Sequence, residues 1–278
     1  MKIVLSRKGF DSSAGGVASP ITPSNELLSL PIPDRFSRTR YRDLRGCRPS
    51  VAKWANSLSN GRVKPGDGVH LDPDLNRSSL PRLPAWTPAF GQAGAALGHL
   101  DAMGVGVGDL FLFFGWYRRV ERHQSCWRYV PNAPDLHVLY GWMAVGSIWR
   151  PPSPVPTALQ QHIHTQREFK GNNAIYASAS DWCAGEKTVP GSGLWRSCCE
   201  ELVLTGGDSR SQWVLPSWFY PEGRASTLSY HQRLDRWQMD NGLCRLQLAA
   251  RGQEFVLDTE HYPEALDWAA GLIQLAEG

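Results

Sequence analysis

The chain has no run of 18 consecutive apolar residues, which removes a membrane-spanning helix from the reading. Met1 to Leu5 pass directly into Ser6-Arg7-Lys8, so neither a signal nor a transit peptide is expected. A cytoplasmic protein with no membrane partner is the expectation. The six cysteines, Cys47, Cys126, Cys183, Cys198, Cys199 and Cys244, form no CxxC pair and no zinc spacing. Reduced thiols are therefore expected, with the vicinal Cys198-Cys199 pair serving packing. There is no Gly-Lys-Ser/Thr phosphate loop, no GxSxG elbow and no HExxH helix. Internal repeats and low-complexity tracts are absent as well.

What is present is a globular composition. Of 278 residues, 42% are hydrophobic and 20% charged, which excludes a disordered chain and fits a single domain over residues 1–278. The net charge of +3 is unevenly spread: residues 1–48 carry nine cations against four carboxylates, a net +5, and the rest is net −2. A basic N-terminal segment suits a polyanionic partner. The twelve tryptophans suit core packing, base stacking or both.

Residues 1–5 read as a strand, and proline-broken residues 17–50 as loop. Residues 51–63 have room for a short helix. Residues 90–103 read as a helix weakened by glycine. Leu110 to Phe114 is a continuous apolar run, predicting a strand buried on both faces. A polar connection over 117–135 leads to a second long strand at 137–148, antiparallel to the first and bent or bulged at Gly141. A short helix is expected over 157–168, and strands at 174–178, 200–206, 243–248 and 253–258. Residues 263–277 form the clearest helix, with Leu266, Ala269, Ala270, Ile273 and Leu275 on one apolar side.

Four constellations carry chemistry. Where the first strand ends stand Ser6, Arg7, Lys8, Asp11, Ser12, Ser13, Gly15 and Gly16. Cations, hydroxyls and glycine amides are the groups that hold phosphate, and Asp11 could orient a cation or accept from a sugar hydroxyl. The same residues also suit a self-capped turn. Next, His70, Asp72 and Asp74 alternate, so an extended segment would point all three one way. They suit general acid/base chemistry or a divalent metal; beyond that, no cofactor is specified. His162 and His164 form a His-x-His step, with His99 and Asp101 elsewhere, and read first as polar residues at the surface. Finally Trp116, Tyr117 and Trp142, with Arg118 beside them, could clamp a base, although core packing competes for Trp142.

Leu5-Ser6-Arg7-Lys8-Gly9-Phe10-Asp11-Ser12-Ser13-x-Gly15-Gly16, running on to Ser19-Pro20-Ile21, resembles the opening of the nucleotide modification associated domain, type three. Leu30-Pro31-Ile32-Pro33, His70 to Asp74, Gly108 to Trp116 and His137 to Trp142 fit that family in order, so the resemblance covers nearly the whole chain. It implies a place in bacterial or phage systems that modify DNA bases or nucleotides, with other proteins of such a system as partners. A looser likeness over residues 106–148 is to the core hairpin of PUA-like and EVE domains, small β-barrels that hold modified bases.

The expected architecture is α+β: a mainly antiparallel sheet, partly closed as a PUA-like barrel, with a few peripheral helices. The expected function is modification of a DNA base or nucleotide. In that reading Ser6, Arg7, Lys8, Ser12, Ser13, Gly15 and Gly16 bind phosphate, and His70, Asp72, Asp74 and Asp11 are catalytic. The alternative is a non-catalytic module that reads a modified base in DNA through the aromatic and arginine residues.

Overall fold

The structure is a computed structural model and describes all residues except 125, 167, 170, 208, 251, 277 and 278. In chain order it holds β1 (Lys2–Arg7), β2 (Ser19–Ile21), α1 (Val51–Leu58), β3 (Ala89–Ala93), α2 (Gly94–Ala102), β4 (Leu110–His123), β5 (Cys126–Tyr129) and β6 (Leu136–Trp149). Then follow β7 (Asn173–Ser178), β8 (Asp181–Ala184), β9 (Lys187–Pro190), β10 (Ser192–Leu194), β11 (Gln212–Pro216), β12 (Trp237–Asp240), β13 (Leu243–Gln247), β14 (Glu254–Asp258) and α3 (Glu264–Gln274).

The main sheet runs β14-β1-β4-β6-β7-β3, with β2 and β5 added to β4 and β10 to β6. Strands β1 and β2 lie parallel to β4, and the other pairings are antiparallel. The fold is thus α+β with a mixed, mainly antiparallel sheet. The expected barrel closure does not occur among the described pairings: the sheet path ends at β14 and β3 without joining them. Strands β11-β13-β12 and β8-β9 make two small separate sheets.

Strand β4 organises the core. Leu110 to Phe114 are fully buried, as a run apolar on both faces requires. Phe90, Phe111, Phe113 and Tyr176 meet edge-on or stacked, with ring centroids 5.0–6.0 Å apart. Each such side chain contributes about 1.5–3 kcal/mol by leaving water. A second cluster gathers Phe10, Tyr41, Trp54 and Val69 beside α1, where Ser50 caps the helix by accepting from the Lys53 amide.

Several segments depart from expectation. Strand β4 continues to His123 through the stretch read as connection, because β2 and β5 pair with its second half. Residues 89–93 are strand before α2 begins at Gly94. Residues 157–168 hold two 3-10 turns, Thr157–Leu159 and Ile163–Thr165, and no α-helix among their described residues; Arg167 lies outside these. Residues 200–206 hold a 3-10 turn and only isolated bridges at Val203 and Thr205. Helix α3 buries Ala269, Ala270 and Ile273 but leaves Leu275 exposed; Glu277 lies outside the described residues. At Gly141 the bend takes the form of a register shift. Phe113 faces Gly141 and Phe114 faces Leu139, so Tyr140 is the extra residue.

His137 on β6 gives the core a pH dependence. Its Nδ1 accepts from Trp213 Nε1 at 3.0 Å, so the buried ring is neutral. Burial, then the charges of Arg210 and Arg7, push it down to about 3. The unfolded chain, titrating near the ordinary 6.5, takes up that proton first as pH falls. The contribution is therefore complete above about pH 6.5 and is lost towards pH 3. At pH 5 the loss is about 2 kcal/mol. Urea unfolding at pH 7 and pH 5 should show it, and His137→Gln, which still accepts from Trp213 but does not titrate, should flatten the difference. An unchanged pH slope in that variant would count against the assignment.

Candidate functional site

Three irregular stretches and one strand meet around Asp72. The backbone amide of His70 donates to Ile32 O at 2.9 Å and that of Asp72 to His70 O at 3.1 Å, which folds the His-Leu-Asp step tightly. His162 and His164 arrive on the 3-10 turns that lead into β7. There the Asn173 amide donates to His164 O at 3.2 Å. Gly91 of β3 supplies a backbone N–H and the room for His164: a Cβ at Gly91 would stand 2.4 Å from that ring.

The two oxygens of Asp72 have different surroundings. Oδ1 accepts from the Gly91 amide at 2.9 Å and lies 3.3 Å from His162 Nε2. The Nδ1 of His162 accepts from the His164 amide at 3.2 Å, which leaves the ring's N–H on the Nε2 that faces Asp72. Oδ2 faces two other imidazoles, His70 Nε2 at 3.6 Å and His164 Nε2 at 3.5 Å. Behind them, His70 Nδ1 donates to Asp34 Oδ2 at 3.1 Å and His164 Nδ1 to Asn173 Oδ1 at 2.7 Å.

The charges follow from this packing. Burial alone would raise Asp72, but the surrounding histidines outweigh it and hold the carboxyl well below the usual range. Burial would lower His70, yet the carboxylates of Asp34 and Asp72 carry it up to about 9. For His164 burial dominates, with the neighbouring rings adding to it against the Asp72 charge, and pushes it down to about 4. One imidazole beside Asp72 is thus shifted towards its cationic form and another towards its neutral form, a pairing suited to moving a proton. His70, Asp72 and His164 are also a set that could hold a metal ion.

The expected His70-Asp72-Asp74 triplet divides. Asp74 is buried in an ion pair with Arg82 and accepts from Trp86 Nε1 at 3.4 Å, so it does not join His70. The N-terminal segment also departs from expectation. Asp11 Oδ1 accepts from the Ser13 amide, the Ser13 hydroxyl and the Ala14 amide at 2.7–2.8 Å, which closes its own turn. Ser12 is exposed, Gly15 seats the Phe10 ring, and Gly16 packs against the Arg62 guanidinium. Ser6 is fully buried in β1, Arg7 reaches Gly252 O at 3.5 Å, and Lys8 pairs with Glu254 while lying over Phe90. Neither Arg7 nor Asp11 lines the cavities described below.

The four base-stacking candidates do not form one surface. Tyr117 is fully buried, and Trp142 packs on Trp195 with its Nε1 donating to Pro190 O at 2.8 Å. Trp116 donates to Asp135 and carries Arg210 over its ring, and Arg118 lies over Tyr129.

Two cavities lie close to this cluster. One, of 360 Å³, is lined by Asp72 together with Gly9, Ser29, Trp54, Tyr140 and Trp195, and by the exposed Arg45, Arg48 and Arg196. The Trp54 indole nitrogen is buried without a hydrogen-bond partner among the described residues. The other cavity, more open and of about 420 Å³, is lined by His70, His164, Asp34 and Gln92. Sequence reasoning missed Asp34, Asn173 and Gly91, which carry no motif. It saw the His-x-His step but placed it at the surface, whereas both rings are buried.

A profile of the family described as nucleotide modification associated domain 3 matches residues 2–258. No curated protein and no solved structure matches the chain. Among the described residues, no helix is long and apolar enough to cross a membrane.

Proposed function

The chain belongs to the nucleotide modification associated domain 3 family, and from that premise we propose that it modifies a nucleotide, or a base within DNA, in the cavity walled by Asp72. The observation that carries this reading is the placing of that carboxylate. Asp72 stands between the imidazoles of His70 and His164 and lines a space of about 360 Å³, large enough for a nucleotide. Trp54, Tyr140 and Trp195 offer aromatic walls to a base. Arg45, Arg48 and Arg196 take the phosphate-holding role expected of the N-terminal segment, which contributes Gly9 to the wall. His70 and Asp72 keep the acid/base role.

Quenching of tryptophan fluorescence by the four deoxynucleoside 5′-monophosphates, against the matching nucleosides, tests the binding part. At least one monophosphate should bind about 10-fold more tightly than its nucleoside, as charge-assisted hydrogen bonds provide. The preference should weaken with salt and disappear in the Arg45→Ala/Arg48→Ala variant. Equal affinity for phosphorylated and plain nucleosides would reject this placement of the phosphate.

A further inference from the structure

We propose that His70 Nε2, His164 Nε2 and Asp72 Oδ2 hold one divalent transition-metal ion, with Asp34 and Asn173 fixing the two imidazoles behind it. This does not rest on the nucleotide-binding reading. The three atoms converge: both ring nitrogens stand 3.5–3.6 Å from the same carboxylate oxygen, and all three lie within 4.8 Å of one another. A separation of 3.6 Å is too long for a hydrogen bond. It matches a shared cation, since ligands bonded at about 2.1 Å to a tetrahedral centre stand about 3.4 Å apart.

The hydrogen bonds around the cluster say the same. The Asp34 carboxylate can only accept, so His70 carries a proton on Nδ1. Asn173 Oδ1 likewise requires a proton on His164 Nδ1. Each Nε2 is then free to act as a ligand, the ion taking the place of any proton His70 Nε2 would hold. On the carboxylate, Oδ1 is taken by the Gly91 amide and faced by His162, which leaves Oδ2 for the ion. Imidazoles whose far nitrogens donate to a carboxylate and an amide oxygen have the outer support typical of metal-bound histidine.

The ligand types select the ion. Two imidazoles and one carboxylate suit Zn²⁺ or Fe²⁺, whereas Mg²⁺ and Ca²⁺ call for oxygen ligands. The three side chains leave further coordination positions for water or substrate. His70 and His164 line the more open cavity and Asp72 the less open one, so the ion would sit between the two.

The test titrates the full chain, stripped with chelator, with Co²⁺ followed by its visible absorption, and then displaces Co²⁺ with Zn²⁺. One Co²⁺ per chain is expected, displaced by one Zn²⁺ and unaffected by millimolar Mg²⁺. His70→Ala and His164→Ala should each weaken Co²⁺ binding at least about 100-fold, and Asp34→Asn about 10- to 100-fold. Asp34 stands in a loop and Asn preserves its size, so this variant answers the question if the histidine variants fail to fold. Absence of a bound equivalent, or stoichiometric binding that survives Asp34→Asn and either histidine variant unchanged, overturns the proposal. No nucleotide is needed, so a failure here is separate from a failure of the phosphate assignment.

Discussion

Asp72→Asn is expected to reduce the modified nucleoside in DNA digests, from cells carrying the protein and its modification system, at least about 100-fold. The substitution is nearly isosteric. Its side-chain oxygen can still accept from the Gly91 amide, and its new NH₂ can face the two imidazole nitrogens that now surround Oδ2. The packing therefore has partners for every polar atom it exposes to the variant, and circular dichroism should stay that of the parent. What disappears is a negative charge that, together with that of Asp34, raises His70 and that opposes the lowering of His164 by burial. Loss of a positioned acid or base lowers rates about 10²- to 10⁴-fold. Monophosphate binding, which depends on the rim arginines, should persist within a few fold. Nucleoside profiles unchanged from the parent would remove Asp72 from the chemistry and favour a module that reads a base without altering it.

The second large effect is on stability. Arg82→Met should cost about 3–5 kcal/mol in urea unfolding, because it leaves the Asp74 carboxylate buried without its cation. Both side chains are almost fully buried, at 2% and 4% exposure. Burial pushes Asp74 up, opposed by Arg82 and by the Trp86 indole N–H. Arg82 also lies over the Trp86 ring with its Cζ 4.6 Å from the centroid, so the guanidinium is packed as well as paired. Replacing both partners, as in Asp74→Leu/Arg82→Met, should recover most of the loss, since an apolar pair leaves no orphaned charge. A single variant as stable as the parent would show that Asp74 finds another partner or becomes neutral at little cost.

The contrast between Asp74 and Asp72 shows what the sequence could and could not reveal. Alternation placed His70, Asp72 and Asp74 on one side of an extended segment. The chain instead turns tightly at His70-Leu71-Asp72, and Asp74 bridges to Ala89, which sends the two carboxylates to different partners. Strands β4 and β6 were readable because a run such as Leu110 to Phe114 has few destinations other than the middle of a sheet. His162 and His164 were not, because burial on short 3-10 turns leaves no periodic signature. Asp34 and Asn173 are separated from Asp72 by 38 and 101 positions, and only the fold brings them near. The N-terminal segment allowed two readings for a chemical reason. A turn that caps itself through Asp11 and a loop that cradles an anion use the same hydroxyls, carboxylate and glycines. Barrel closure was beyond a hairpin likeness, because it depends on what pairs with the outermost strands β14 and β3.

The pairing of β1 with both β4 and β14 also sets the order in which the protein can be completed. During synthesis β1 can meet β4 early, but it waits for about 250 further residues before Val4 finds Val256 and Lys8 finds Glu254. Until then the β14-facing edge of β1, with Ile3, Val4 and Leu5, stays open to other strands. Synthesis stalled before residue 254 would release a sheet with an adhesive edge. The nascent sheet is thus exposed to aggregation or to chaperones until β14 emerges.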